Sequence, residues 1–223
     1  MTDSRLLACA ALVTGAKAVD VGTDHGYLAV YLAENEICKE VIACDVNQKP
    51  LEAAKRTAEK TGLTDRITAI LSDGLDNIPS EGVTDVIMAG MGGELIARLV
   101  GKCPWLADKN KDVNMVLQPM TKSETLRKWL YDNGFAVKKE LACEDNGFVY
   151  SVMQVKFIGE KPDYSCDDRY LYGGMVSKED ETGYAYLERQ AQRLKVAGNG
   201  MLKSADKQDQ GRKLLKTAEL LLK

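Results

Sequence analysis

A single histidine, His25, and six scattered cysteines supply all the imidazole and thiol groups of this chain of 223 residues. Cys9, Cys38, Cys44, Cys103, Cys143 and Cys166 form no C-x-x-C pair. A zinc site needs clustered Cys and His, so no metal is expected, and the thiols read as free and buried in a reducing compartment. No apolar run is long enough to cross a bilayer, and Met1 to Arg5 with the short apolar run behind it do not make a secretory leader. The chain therefore reads as soluble and cytoplasmic, with no membrane partner. The G-x-G-x-x-G fingerprint is also missing, which disfavours a tight pyrophosphate site and an NAD-linked dehydrogenase.

Strong positive charge is absent as well: the formal net charge is −3. From Val176 to Lys223 there are ten Lys/Arg and seven Asp/Glu, about +3, which leaves about −6 for the rest. A modestly basic tail beside an acidic domain is compatible with nucleic-acid contact and equally with a solvated helix pair. Hydrophobic residues make up 45% of the chain, enough for a substantial core.

What is present is an alternation of short apolar runs and amphipathic stretches. The pattern predicts helix 4–13, strand 17–21, helix 27–34, strand 40–44, helix 48–61, and strands 67–71 and 83–88. Helix 94–100, strand 113–118 closed by Pro119, helix 123–133, and strands 135–143 and 149–157 follow. Pro50 fits the first turn of its helix and Gly62 its C-cap. This order predicts an α/β fold, a Rossmann-like, doubly wound, mostly parallel seven-stranded sheet with an antiparallel edge. Residues 160–176 read as a connector. Ser177 with Asp180 suggests a capping box opening a helix over 178–196. Gly198-Asn199-Gly200 would then turn the chain into a second helix over 201–222. The expected organisation is a domain over 1–159 and a coiled-coil-like α-helical hairpin within 160–223.

The most informative stretch is Val19-Asp-Val-Gly-Thr-Asp-His-Gly-Tyr-Leu28. A strand enters a tight turn and a helix leaves it, which is how α/β folds hold nucleotide-like ligands at strand C-termini. With the dinucleotide fingerprint broken at Asp24-His25, a ligand without pyrophosphate fits better, and S-adenosylmethionine is such a ligand. Asp20, Gly22, Asp24 and Gly26 would surround its methionine and ribose portions. His25 could orient ligand or substrate, or simply bond backbone. Asp45, ending the second strand, is placed to hold a ribose diol, and Asp73 of Asp73-Gly74 to accept from an adenine amino group. Each of these carboxylates could instead serve a turn. The run Ala89-Gly90-Met91-Gly92-Gly93 excludes side chains from a sizeable volume and suits a flat group lying against backbone. Gln118 completes the rim, able both to donate and to accept.

Together these residues resemble the bacterial tRNA adenine-22 N1-methyltransferase family (TrmK). The likeness rests on the Arg5-Leu6 helix, the Asp20–Leu28 turn, Asp73-Gly74-Leu75, Ala89–Gly93, Leu117-Gln118-Pro119, and Leu126-Arg127 with Trp129-Leu130 before Gly134-Phe135. It continues through Glu144 and Tyr150 into the tail. Met120 departs from the family's more frequent Asn, and Gly173-Gly174 from its Gly-Pro. The resemblance implies a class I S-adenosylmethionine-dependent methyltransferase acting on N1 of adenine 22 in tRNA. It implies coenzyme contacts at Asp20, Gly22, Asp24, Asp45 and Asp73, with the Ala89–Gly93 run facing the target base. An Asp/Asn-Pro-Pro-aromatic loop is absent there, which argues against methylation of an exocyclic amine. In the tail, Arg189, Arg193, Lys195, Lys203, Lys207, Arg212, Lys213 and Lys216 are candidates for phosphate contact. The alternatives are a methyltransferase for another RNA or a small metabolite, and a non-catalytic RNA-binding module with a vestigial coenzyme pocket. The oligomeric state is left open.

Overall fold

The computed structural model describes residues 3–223. Its seven strands are β1 (Lys17–Val21), β2 (Glu40–Asp45), β3 (Ile67–Leu71), β4 (Asp85–Gly92), β5 (Asn114–Thr121), β6 (Phe135–Asp145) and β7 (Phe148–Phe157). They lie in the order β3-β2-β1-β4-β5-β7-β6, with β1 to β5 parallel and β7 antiparallel to both neighbours. The expected doubly wound sheet with its antiparallel edge is therefore what forms. Alternation along the strands sends side chains to two cores. Val19, Met88 and Leu117 join one core with Ile96, Leu126 and Leu130. Ala18, Ile87 and Val116 join the other with Leu28, Ala29 and Ala54.

Helices α1 (Ser4–Ala10), α2 (Tyr27–Glu34) and α3 (Gln48–Thr61) cover the second core, and α4 (Gly93–Gly101) and α5 (Ser123–Asp132) cover the first. The first helix ends earlier than its periodicity suggests. Buried Asp85 accepts the N–H groups of Thr14 (2.9 Å) and Gly15 (2.8 Å), and this pulls the chain off the helical path. Asn114 adds a third bond to the same carboxylate at 2.6 Å.

Three expectations about local structure are corrected. The run Ala89–Gly92 is paired strand, not loop. β4 continues to Gly92 against a longer β5 that passes Pro119, with irregular register around Met91. Pro119 interrupts nothing because antiparallel β7 covers β5 only at Met115–Leu117. The connector holds a short helix, α6 (Asp168–Tyr172), and a preceding turn whose Tyr164 hydroxyl donates to the Val137 carbonyl at 2.8 Å. Five cysteines are buried, but Cys166, in that turn, is exposed; all six are free.

The hairpin forms, with different bounds. Helix α7 (Glu181–Met201) runs straight through Gly198-Asn199-Gly200, and α8 (Gln208–Leu222) begins only after a short turn. Gly198 is contact, not turn: a β-carbon there would lie 2.9 Å from the Gly211 carbonyl oxygen of α8. The N-cap of α7 is Asp180, whose carboxylate accepts from the Gly183 N–H at 2.8 Å; Ser177 instead accepts from Glu179. A third, smaller core of Tyr186, Leu187, Ala191, Leu194, Leu214, Ala218 and Leu221 joins the two helices. Among the described residues no helix is long and apolar enough to cross a membrane.

Candidate active site

The turn after β1 is tied down before any ligand arrives. The N–H groups of Gly22 and Thr23 both donate to the Cys44 carbonyl at the end of β2, at 2.8 and 3.0 Å. Gly22 and Gly26 have φ of +76° and +73°, and Asp24 between them reaches +47° without being glycine, a strained conformation of the kind found at functional sites. Asp20, at the head of the turn, is 4% exposed. Burial pushes its carboxyl up to about 6; the Thr23 hydroxyl, donating at 2.7 Å, opposes that rise and the charge of Asp45 adds to it.

Around this turn lies a cavity of about 520 Å³, within the range of ligand sites. Asp20, Gly22, Asp24 and His25 line it together with Ala89 and Gly90 of the neighbouring strand β4. Among the lining residues that escaped the sequence reading are Arg5 from α1, Tyr27 at the start of α2, and Met120 from β5. Tyr27 carried a signal, being a large aromatic directly behind a glycine turn. It stacks on His25 with centroids 5.4 Å apart, and both rings stand at the surface of the cavity. Arg5 carried none beyond the family likeness.

The predicted residues separate into distinct places. Gly90 is a bare wall: its φ is +78°, and a β-carbon there would meet nothing closer than the Arg5 guanidinium at 3.8 Å. Gln118 is fully buried behind it. Its side-chain oxygen accepts the Gly90 N–H at 2.9 Å and Arg5 Nη1 at 3.4 Å. Gln118 therefore fixes the wall from behind. Met91 packs under the turn, its methyl 2.6 Å from where a Gly22 β-carbon would sit. Gly92 has room, its nearest contact being the Thr121 hydroxyl at 3.4 Å, whereas Gly93 is pressed against the Lys122 carbonyl at 2.5 Å.

On the other side, Gly26 and Gly74 serve packing. A β-carbon on Gly26 would lie 2.9 Å from Ala54 of α3, and one on Gly74 2.8 Å from Leu99 of α4. Asp45 and Asp73 stand at strand ends outside the cavity lining. Asp45 accepts from the Asn47 N–H at 2.8 Å. Asp73 is held by Lys102 at 3.0 Å, a bond that keeps its carboxyl below the usual range. In the tail, Arg193, Arg212 and Lys213 are paired with Glu124, Asp209 and Asp168. Arg189, Lys195, Lys203, Lys207 and Lys216 have no ion-pair partner among the described residues. Those residues also contain no cluster of three potential metal ligands.

The donor set suits the ligand that the resemblance implies. Buried Asp20 and exposed Asp24 face a cavity that a cationic amino-acid portion could enter, and the bare backbone of Gly22 permits close approach. Asp45 sits one residue beyond the Cys44 carbonyl that anchors the turn, at the end of β2.

Comparison with known proteins agrees with this geometry. Residues 2–153 match a methyltransferase domain family. The tRNA (adenine(22)-N(1))-methyltransferase of Bacillus subtilis (strain 168) is 34% identical over 165 residues, 73% of this chain and 66% of that protein. The chain thus spans about two thirds of that relative's length. A Streptococcus pneumoniae protein described as a candidate tRNA adenine-22 N1-methyltransferase superposes over 100% of both chains, with TM-score 0.86 and 29% identity. The same protein was solved in complex with S-adenosyl-L-methionine, with TM-score 0.83 and 28% identity. The chain belongs to the methyltransferase-domain family and, within it, to the tRNA (adenine-22-N1)-methyltransferase group.

Proposed function

We propose that this protein transfers a methyl group from S-adenosylmethionine to N1 of adenine 22 in tRNA, in the cytoplasm. Support comes from the relatives' activity and from the cavity, where the bare main chain of Gly90 shares the lining with the acidic turn of Asp20 and Asp24. The single observation that carries the reading is Gly90, a left-handed glycine pinned by Gln118 with its side-chain position open to the cavity.

S-adenosylmethionine supplies, when bound, an electrophilic methyl on a sulfonium. Asp20 and Asp24 would hold its amino-acid end, Asp45 its ribose hydroxyls, and Asp73 its adenine amino group once Lys102 yields. Gly22, Gly26, Gly74 and Ala89 shape the backbone around it. His25 stands at the mouth beside Tyr27, and the stacked pair offers an aromatic face to an incoming base. Adenine N1 carries an in-plane lone pair and is neutral near pH 7, so it needs no proton removed before attack. The work left to the protein is alignment and charge stabilisation. Gly90 admits the flat base; Met91, Gly92 and Gly93 fix the course of the strand beneath it; Gln118 locks the wall.

N1 lies on the Watson–Crick edge, so the adenine must leave its helix first. Two units, 1–159 and 160–223, would divide the task, the second holding tRNA phosphates through Arg189, Lys195, Lys203, Lys207 and Lys216, with Arg193, Arg212 and Lys213 exchanging their present partners. The test is transfer of labelled methyl to an unmodified tRNA transcript, with mapping of the product base. Modification at N1 of adenine 22, and none when guanine replaces it, is expected. Methylation elsewhere, or none at all, overturns the proposal.

A further inference from the structure

From the cavity, a row of two aromatic rings between two arginines leads to the helical hairpin. Arg5 lies over the Tyr150 ring at 5.9 Å. Tyr150 and Phe148 have centroids 6.5 Å apart. Arg189 of α7 lies over Phe148 at 5.2 Å. Phe148 is 51% exposed, at the tip of the β6–β7 hairpin. The turn beneath it, Asn146-Gly147, has φ of +50° and +76°, the rigid two-residue form that matches strand twist. An apolar ring is thus presented to solvent on a stiff support, beside an exposed arginine with no ion-pair partner among the described residues. Below it lies a second cavity of about 320 Å³, lined by Tyr150, Arg189 and Arg193. Met120 lines both this cavity and the first, so the two adjoin at that side chain.

We infer that Phe148 and Arg189 form the landing site for a nucleotide next to the target adenine, its base lying on the Phe148 ring and its phosphate on the Arg189 guanidinium. The inference rests on tRNA being the substrate. Extruding one base leaves its neighbour with an uncovered face, and proteins meet such faces with aromatic rings and arginine planes. Arg189 occupies the ring face in the free protein, and its guanidinium leaves that face for the phosphate as the base arrives. RNA is the occupant that satisfies both groups at once, a base for the ring and a phosphate for the guanidinium.

The experiment compares wild type with Phe148→Ala, Phe148→Trp and Arg189→Ala, measuring KM for tRNA, KM for S-adenosylmethionine, and tRNA affinity across a salt series. Phe148→Ala is expected to raise the tRNA KM about five- to fifty-fold, with the coenzyme KM unchanged and Phe148→Trp restoring it. Arg189→Ala is expected to weaken tRNA binding and reduce the salt slope by about one, whereas Phe148→Ala leaves the slope alone. An unchanged tRNA KM in Phe148→Ala, failure of Trp to restore it, or an equal loss of coenzyme affinity overturns the inference. A wild-type protein that methylates no tRNA overturns the proposed function itself, and that result is read before any variant is compared.

Discussion

Arg127 and Glu140 form an ion pair with neither side chain exposed at all. Arg127 also donates to the Leu171 carbonyl at 3.0 Å and the Tyr186 hydroxyl at 2.9 Å, and Glu140 accepts the Met175 N–H at 3.0 Å. The pair therefore holds α5, β6, the connector and α7 together. Gly174 is required beside it, because a β-carbon there would fall within 1.9 Å of a Glu140 oxygen. Removing Glu140 leaves a buried guanidinium without its counter-charge. Glu140→Ala is expected to cost about 3–5 kcal/mol of stability in urea denaturation, and an unchanged midpoint would contradict this account.

Asp20 gives a pH-dependent prediction. Its carboxyl titrates near 3.8 in the unfolded chain and at about 6 in the native one. Between those values the native state holds the extra proton, so stability falls as pH rises through the window and stays reduced above it. Asp20→Asn removes the penalty. The variant is expected to be more stable than wild type by about 1–3 kcal/mol at pH 8, with the advantage shrinking toward pH 4, and to bind S-adenosylmethionine more weakly. Thermal melts at both pH values and calorimetry with the coenzyme check this; a less stable Asp20→Asn protein at pH 8 would count against it.

Gly90 and Gly92 are two residues apart and should respond differently. Alanine at Gly90 must adopt φ of +78° and points its methyl into open cavity. Alanine at Gly92 keeps φ near −71° and touches only the Thr121 hydroxyl. Gly90→Ala is expected to lower the rate of methyl transfer about a hundredfold, the scale of a small misplacement at a reacting centre; Gly92→Ala should retain most activity. Equal effects in single-turnover assays would show that the wall is not where the base lies.

Gly198 and Gly211 concern the hairpin. Leucine at Gly198 would strike the Gly211 carbonyl and Leu215 and force α7 from α8. Gly198→Leu is expected to destabilise the hairpin by about 1–3 kcal/mol, hasten its proteolysis and weaken tRNA binding, while calorimetry with S-adenosylmethionine stays as in wild type. Loss of coenzyme binding in this variant would mean that the two units do not work separately.

Much of this was legible in the chain. The strand–turn–helix at Asp20–Leu28 and the order of apolar runs gave the sheet, because buried parallel strands and amphipathic helices differ in period. Two glycine segments misled for opposite reasons. Gly198-Asn199-Gly200 has the composition of a turn, but tertiary contact with α8 keeps it helical against propensity. Ala89–Gly92 lacks every strand-forming residue type, and only pairing with β5 makes it a strand. Gln118 looked like a rim residue because Pro119 seemed to end its strand; the strand runs on, and Gln118 turns inward. Arg5 reaches the cavity through the packing of α1, which no local pattern encodes, whereas Tyr27 follows the glycine turn directly.

That Ala89–Gly92 is laddered to β5 bears on how the proposed reaction would be shared between enzyme and RNA. A free glycine segment would be a hinge, closing over whatever arrived. Pairing with β5 and the Gln118 clamp make this one a rail. On the proposed function, the bending, unpairing and swivelling would then fall to the nucleic acid, and discrimination among tRNAs would rest on how readily each delivers its adenine.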